Sequence, residues 1–126
     1  MKIICTSDWH IRSSRPKSRR DDYEKTLFSK MEWILNQEGD IVLNAGDFFD
    51  SPMASYVLTL KTMRLFKEND KLQYVVYGQH DLRYHTSKEN SPLAILDEIE
   101  QLQVLGEKHI GRVHIYGCSW GEEIPK

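Results

Sequence analysis

The protein has 126 residues, of which 40% are hydrophobic and 29% are charged, the composition of one ordinary soluble globular domain. The 7 glycines and 4 prolines are too few for a disordered or collagen-like chain, and no apolar run approaches the roughly 20 residues of a membrane-spanning helix. The 17 Lys and Arg residues against 19 Asp and Glu residues give a net charge of −2, which excludes a globally basic nucleic-acid binder but not a local basic patch.

Four short apolar runs predict buried strands, and helical patterns lie between them. The strands are expected at residues 2–6, 40–45, 72–77 and 113–117, with polar loops at 11–20 and 79–91. This alternation predicts an α/β layered fold with a largely parallel sheet, formed as one domain by residues 1–126. In such folds function collects at the carboxyl ends of the strands.

Three helices are predicted from N-cap residues followed by apolar residues at helical spacing. The expected caps are Asp21 or Asp22, then Ser55, then Ser91 with Pro92 at the tolerated first position. The expected buried faces are, in order, Tyr23, Leu27, Met31, Ile34 and Leu35; Tyr56, Leu60, Met63 and Phe66; and Leu96, Ile99 and Leu102.

Carboxylates and imidazoles directly follow the first three predicted strands. They stand in the segments Ser7-Asp8-Trp9-His10, Gly46-Asp47-Phe48-Phe49-Asp50 and Gly78-Gln79-His80-Asp81. Oxygen and imidazole ligands together suit Mn²⁺, Fe or Zn²⁺. Two such ions about 3.5–4 Å apart can clamp a phosphate and lower the pKa of a water molecule. The sequence therefore predicts a metal site at one edge of the sheet.

These three segments, in this order, resemble the motifs of the calcineurin-like metallophosphoesterase superfamily, whose third motif is usually Gly-Asn-His-Asp/Glu. The opening Ser-Asp-x-His, the Gly-Asp-Phe-Phe-Asp block and the later Val113-x-Ile115-Tyr116-Gly117 strand are most similar to the SbcD-type branch of DNA-repair and recombination nucleases. The resemblance extends over nearly the whole chain. It implies a metallophosphoesterase-type sandwich.

The resemblance also implies a role for each metal-site residue. Asp8 and His10 would hold a first metal, Asp47 would bridge two metals, and Gln79 stands where the family has the Asn that binds the second metal and the phosphate. Because Gln is one methylene longer than Asn, weaker second-site affinity or altered activity is expected.

For the chemical step, the resemblance implies that His80 is the catalytic histidine, which donates a proton to the leaving oxygen or stabilises it. Asp50 would orient and charge-stabilise His80, as a carboxylate does for an imidazole elsewhere. Asp81 is expected to organise the loop rather than to touch substrate.

The family supplies further metal-binding histidines from later strands, including a Gly-His-x-His pair. The remaining histidines here are His85, His109 and His114, and none lies in such a setting. His85 is expected to be a solvated loop residue, and neither His109 nor His114 is expected to be a ligand. The sequence is therefore interpreted as the N-terminal portion of a metallophosphoesterase domain, incomplete at its C-terminus.

Five basic residues fall within nine positions directly after the first motif: Arg12, Arg15, Lys17, Arg19 and Arg20. Such a cluster can hold the phosphates of a nucleic-acid backbone without reading sequence. Arg83 and Tyr84, after the third motif, are expected to add a phosphate contact and a base-stacking ring. The alternative interpretation of the cluster is a solvated, mobile loop.

The predicted function of the intact protein is two-metal phosphodiester hydrolysis by an exonuclease or endonuclease of DNA recombination or repair, and no activity is predicted for the 126-residue chain by itself. Two alternatives stay open, namely a phosphatase or phosphodiesterase acting on small molecules or proteins, and a non-catalytic binding module that retains the scaffold. The resemblance implies two divalent ions, with Mn²⁺ expected, DNA as substrate, a homodimer and an SbcC-type ATPase partner. No membrane partner is expected, because the sequence has no long apolar run. Cys5 and Cys118 are expected to be reduced and in apolar surroundings, in a cytoplasmic protein.

Overall fold

A computed structural model describes residues 1–126 and contains six strands and three α-helices. In chain order these are β1 (Ile3–Thr6), α1 (Tyr23–Leu35), β2 (Ile41–Asn44), α2 (Tyr56–Lys67), β3 (Leu72–Val75), α3 (Pro92–Leu96), β4 (Leu102–Val104), β5 (Glu107–Ile110) and β6 (Val113–Tyr116). Strands β1 to β4 form one parallel sheet in sequence order, and β5 and β6 form a separate antiparallel hairpin. The predicted α/β fold with a largely parallel sheet is confirmed. None of the helices combines the length and the apolar character needed to cross a bilayer.

Each helix begins at a residue whose side chain accepts a hydrogen bond from the backbone of the first turn. Asp22 Oδ1 accepts from the Lys25 N–H, Ser55 Oγ from the Leu58 N–H and Ser91 Oγ from the Ala94 N–H, each at 3.2 Å. These contacts satisfy donors that have no partner inside the helix. The predicted caps are confirmed, with Asp22 rather than Asp21 at the first helix.

The main core lies between the helices and one face of the parallel sheet. It is built around fully buried side chains that include Phe48, Phe49, Phe66, Val42 and Val75. The Trp9 ring stacks on Phe48 with the ring centroids 5.3 Å apart. The residues that directly follow β1 and β2 are thereby packed into the core, which anchors the loops that carry the first two motifs.

The buried face of α2 differs from the prediction. Tyr56 and Leu60 are 92% and 44% exposed, whereas Leu58, Thr59, Thr62 and Phe66 are buried. The two threonines are buried at low cost because their hydroxyls donate to the carbonyls of Ser55 and Leu58, at 3.0 and 2.9 Å. The helix therefore turns its threonines inward and leaves an apolar surface outside.

The region after α3 also differs from the prediction. Leu102 is buried as expected, but it belongs to β4, because α3 ends after five residues at Leu96. Strand β5 is not predicted from the sequence, since its side chains from Glu107 to His109 are exposed and carry no apolar pattern.

The opposite face of the sheet carries a second, smaller core of Ile41, Tyr74 and Leu105. The β5–β6 hairpin packs on this face through Ile110 and Ile115. Cys5, which is exposed, and Cys118 both line an open groove on this face among mostly apolar side chains, as the sequence predicts. The hairpin leaves the β1 end of this face open.

Candidate metal centre

The loops that follow β1 and β2 continue side by side after the strands themselves end. The Asp8 and His10 N–H groups donate to the carbonyls of Gly46 and Asp47, both at 3.0 Å, and the Ile11 N–H donates to Phe48 at 2.9 Å. This extended pairing places the first and second motifs in one register. It brings Asp8, His10 and Asp47 together at the carboxyl edge of the sheet.

The side chains of Asp8, His10 and Asp47 converge on one point. His10 Nε2 lies 3.6 Å from Asp8 Oδ1 and 4.0 Å from Asp47 Oδ2, and one ligand atom from each residue lies within 4.8 Å of the others. Two carboxylates and one imidazole form a donor set that suits Mn²⁺, Fe or Zn²⁺. The residues present therefore fit a divalent metal ion.

All three converging residues have left-handed backbones, with φ angles of 54° at Asp8, 45° at His10 and 49° at Asp47. Residues other than glycine rarely adopt this region, and each instance costs on the order of 1–3 kcal/mol. Three such residues within one site indicate that the surrounding fold holds the ligands in place. The site is strained before any ion binds.

The third motif is fixed against the second by close backbone packing. A Cβ atom at Gly78 would overlap the backbone nitrogen and the carboxylate of Asp47, so only glycine fits there. Asp47 Oδ1 accepts a hydrogen bond of 3.0 Å from the His80 N–H. The exposed His80 ring meets the His10 ring edge-on, with the centroids 5.0 Å apart. Gln79, half-buried, opens the single 3₁₀ turn between Gly78 and Leu82.

The buried Asp81 joins the second and third motifs through its carboxylate. Oδ1 accepts from the Phe49 N–H at 2.7 Å, and Oδ2 accepts from the N–H groups of Gly78 and Phe48 at 2.8 and 3.1 Å. Burial raises the pKa of Asp81, while these three N–H groups act in the opposite direction. The arrangement is that of a loop organiser, as expected from the sequence, and not of a substrate ligand.

Asp50 does not make the contact with His80 that the sequence predicts for it. Its Oδ1 lies 3.3 Å from His10 Nδ1 and its Oδ2 lies 3.3 Å from Arg12 Nη1, and no ion pair joins it to His80. The physical reason is the bridge between Ile11 and Phe49, which holds the Asp50 backbone against the β1 loop. Asp50 therefore lies beside His10 and Arg12 in this structure.

The five basic residues of the segment 12–20 are not equivalent. Arg19 makes a two-pronged contact with Asp21, at 2.8 and 2.7 Å, which holds the pKa of that carboxyl well below its usual range. Arg12 is held near the site by Asp50. Arg15, Lys17 and Arg20 are exposed and make no ion pair, so they are the free cations of the segment.

Arg83 and Tyr84 lie in the loop after the third motif, as predicted. The Arg83 guanidinium stacks on the Tyr84 ring at 5.5 Å from its centroid, and the ring itself is exposed. The loop is short and turned, with a hydrogen bond from the Arg83 N–H to the Ser87 carbonyl at 2.9 Å. His85 is exposed in the same loop, and its Nδ1 lies 3.1 Å from the Gln79 carbonyl.

A second group of candidate ligands was missed from the sequence. Glu107, His109 and His114 on the β5–β6 hairpin bring one ligand atom each within 4.8 Å of the others. Strand β5 would have to be predicted before the pairing of His109 with His114 becomes visible. The signal for that pairing is the Gly111-Arg112 turn midway between the two histidines.

A parallel α/β sheet with carboxylates and histidines at its carboxyl edge is typical of metal-dependent phosphoesterases. The family model described as Calcineurin-like phosphoesterase matches residues 1–123, and the chain therefore belongs to that family. This membership confirms the resemblance seen in the three motifs.

Several relatives are named as DNA-repair proteins or nucleases. The chain is 28% identical, over its whole length, to the DNA double-strand break repair protein Mre11 of Methanosarcina acetivorans, where it covers 20% of that relative. It is 29% identical to the Mre11 protein of Methanocaldococcus jannaschii, over 82% of the chain and 28% of the relative. It is 32% identical to a subunit of the nuclease SbcCD of Rhodobacter capsulatus, over 84% of the chain and 27% of the relative. The chain thus spans between a fifth and three-tenths of the length of these relatives.

Proposed function

We propose that the protein acts in metal-dependent hydrolysis of phosphodiesters in DNA, as a nuclease of recombination or repair. The observation that carries the proposal is the convergence of Asp8, His10 and Asp47 beside the exposed imidazole of His80. The names of the relatives, which are nucleases or double-strand break repair proteins, support DNA as the substrate.

Two divalent ions are proposed as cofactors. Asp8 and His10 would hold one ion, Asp47 would lie between the two, and the Gln79 amide oxygen would contribute to the second. When bound, the ions supply Lewis-acid polarisation of the phosphate and a water of lowered pKa. Mn²⁺ is the proposed metal because the resemblance to SbcD-type nucleases implies it, and the two carboxylates and one imidazole of the site are compatible with it.

The proposed task of His80 is to donate a proton to the oxygen that leaves phosphorus. Its ring is exposed, so a phosphodiester can reach it, while its backbone N–H is held by Asp47. The edge-on contact with His10 keeps the ring beside the metal-binding side chains. A histidine fits this task because its ordinary pKa lies close to neutral pH.

The segment 12–20 is the proposed contact for the DNA backbone. Arg15, Lys17 and Arg20 are its exposed cations without carboxylate partners, and Arg12 links the segment to the site through Asp50. Because the net charge of the chain is −2, the attraction must come from this local cluster. Tyr84 offers an exposed ring on which a base of a single strand can stack.

Two protein partners and a location complete the proposal. Four exposed apolar side chains near the start of α2 support a homodimer, namely Met53, Tyr56, Val57 and Leu60. The name of the Rhodobacter capsulatus relative, one subunit of a nuclease, supports an assembly with an SbcC-type ATPase. A cytoplasmic location is proposed because Cys5 and Cys118 are both unpaired.

The test compares DNA with a small phosphodiester as substrate. End-labelled single-stranded and duplex DNA and bis(p-nitrophenyl) phosphate would each be incubated with the intact protein and Mn²⁺. We expect DNA cleavage that Asp47→Asn abolishes and that Asp70→Asn, at an exposed carboxylate outside the site, leaves intact.

Replacing Arg15, Lys17 and Arg20 together by Gln separates the candidate substrates. A DNA enzyme would lose DNA cleavage and keep hydrolysis of the small ester. If this variant hydrolysed both substrates as fast as the parent protein does, the small-molecule phosphodiesterase would be favoured. Tight Mn²⁺ binding without hydrolysis of either substrate would favour the non-catalytic module.

A further inference from the structure

We propose that the β5–β6 hairpin carries a separate binding site for a Zn²⁺ ion, formed by Glu107, His109 and His114. The site shares no residue with the phosphoesterase centre and lies on a different sheet. It does not depend on the proposed nuclease function.

The two histidines face each other directly across the hairpin. His109 pairs with His114 in the antiparallel register, and their rings stack with centroids 3.7 Å apart and planes 15° apart. Residues that are directly opposite on antiparallel strands have their side chains on the same face and in contact. The two imidazoles are therefore already adjacent, and their rings must rotate out of the stacked arrangement for one nitrogen of each to point at a common ion.

Glu107 adds a carboxylate to the same face. It stands two positions before His109 on β5, and alternate residues of a strand point to the same side. Its Oε1 lies 2.8 Å from His114 Nε2. Two ligands at about 2.0–2.1 Å from a tetrahedral ion would be separated by roughly 3.3 Å, so only small side-chain rotations are needed to place an ion between them.

The packing of the hairpin fixes which face is free. Ile110 and Ile115 pack against the core of Ile41, Tyr74 and Leu105, so the histidine face is turned to solvent. Glu107, His109 and His114 are all exposed, which gives an ion direct access.

The turn between the two strands is equally well defined. Gly111 has a φ of 59° at the first central position of the two-residue turn, as a type II′ turn requires. This turn type matches the twist of the flanking strands. It therefore fixes the register that pairs His109 with His114.

The ligand set indicates the class of ion. Two imidazoles and one carboxylate suit Zn²⁺, and three protein ligands leave a fourth position for water. The phosphoesterase centre offers the opposite balance, with two carboxylates and one imidazole, and so suits harder ions better. The hairpin site should thus prefer Zn²⁺ over Mn²⁺, and the bound ion would cross-link β5 to β6.

The test measures Zn²⁺ binding in a chain whose phosphoesterase centre has been removed by Asp8→Asn and Asp47→Asn. Titration calorimetry on this background should show one Zn²⁺ per chain. Adding His109→Ala or His114→Ala should weaken that binding by more than about 100-fold, and Glu107→Gln by about 10–100-fold. His85→Ala, which removes an exposed histidine outside the hairpin, is the matched control and should change nothing.

Two further measurements keep the result interpretable. Zn²⁺ should raise the melting temperature of the background chain and not that of its His114→Ala derivative, while both chains melt alike without metal. The ring nitrogen resonances of His109 and His114 should shift together at one equivalent of Zn²⁺. Unchanged Zn²⁺ affinity in both histidine variants, or shifts confined to other histidines, would overturn the proposal.

Discussion

The imidazole Nδ1 of His10 lies 3.3 Å from Oδ1 of Asp50, on the side of the ring away from Asp8 and Asp47. Nδ1 is buried and has no aligned hydrogen-bond partner, so a small rotation of the ring or the carboxylate would form the bond. A carboxylate on this nitrogen selects the tautomer that leaves the Nε2 lone pair free for a metal. Asp50 is therefore a positioning residue for a proposed metal ligand.

This relationship predicts the effect of Asp50→Ala on metal binding. We expect the affinity for Mn²⁺, measured by calorimetry, to fall by about 10–100-fold. His80→Ala is the comparison, because it removes the other proposed partner of Asp50 and leaves the three ligands in place. If Asp50 served His80 instead, both variants would keep normal Mn²⁺ affinity and would lose only turnover.

Gln79 provides a second prediction about the metal centre. Gln79→Asn shortens the side chain by one methylene at the start of the 3₁₀ turn, where Gly78 is already packed against Asp47. We expect the second Mn²⁺ to bind at least about tenfold more tightly, because Asn is the residue that the third motif of the family usually carries at this position. Gln79→Ala should lose the second ion and retain the first. Identical binding by all three chains would remove Gln79 from the ligand set.

The free cations of the segment 12–20 predict how salt affects DNA binding. Fluorescence anisotropy with labelled duplex DNA would be measured across a range of salt concentrations. Each of Arg15, Lys17 and Arg20 changed to Gln should reduce the slope of log affinity against log salt by up to about 0.9. Arg19→Gln should have a smaller effect, because Asp21 already engages its guanidinium. If Arg19→Gln reduced the salt slope as much as the other three substitutions, the ion pair between Arg19 and Asp21 would have to break when DNA binds.

The buried carboxylate of Asp81 predicts a stability effect. Asp81→Ala leaves the N–H groups of Phe48, Phe49 and Gly78 without their acceptor, and each such group costs about 1–3 kcal/mol. We expect a loss of at least about 3 kcal/mol in the free energy of unfolding by urea, and a smaller loss for Asp81→Asn. Asp70→Asn should stay within about 0.5 kcal/mol of the parent. A neutral Asp81→Ala would show that water replaces the carboxylate.

The pair of Glu24 on α1 and Lys61 on α2 predicts a pH dependence. Hydrogen bonds from Lys61 and Ser13 hold the pKa of Glu24 below its ordinary value of 4.5. A lowered folded pKa means that the contribution is present above pH 4.5 and is lost as the pH falls through the folded pKa. Glu24→Gln should therefore be about 0.5 kcal/mol less stable than the parent at about pH 7, and the difference should close in acid. A difference that stays constant from about pH 7 to about pH 3 would assign the effect to packing.

The ends of β1, β2, β3 and β6 are predictable to within about two residues, because a glycine or a carboxylate interrupts each of these apolar runs. The helix caps at Ser55 and Ser91 were also predictable, because serine is favoured at the N-cap position directly before apolar residues at helical spacing. The inward face of α2 was not visible, because the burial of Thr59 and Thr62 depends on hydrogen bonds to the preceding turn. The sequence predicts a helix at Leu102, although the structure has a strand there, because its spacing from Leu96 and Ile99 suits a helix.

The candidate site, like the fold, could be predicted only in part from the sequence. The motif residues Asp8, His10 and Asp47 could be placed at one edge of the sheet by the rule for strand ends. The partner of Asp50 could not be predicted, because it depends on a single bridge between Ile11 and Phe49 outside the regular strands. The facing histidines of the hairpin depend likewise on a register that the turn at Gly111 sets.

Folding stability and metal binding make opposite demands at Asp8, His10 and Asp47. Their left-handed backbones cost stability, while their side chains are the proposed ligands. Glycine adopts such angles freely, so Asp8→Gly relieves strain at an exposed residue while it deletes a proposed ligand. A laboratory selection for thermal tolerance alone would therefore erode this site early. Related sequences that keep Asp or His at these positions would forgo the stability that glycine offers there. Retention of those residues would indicate selection for metal binding.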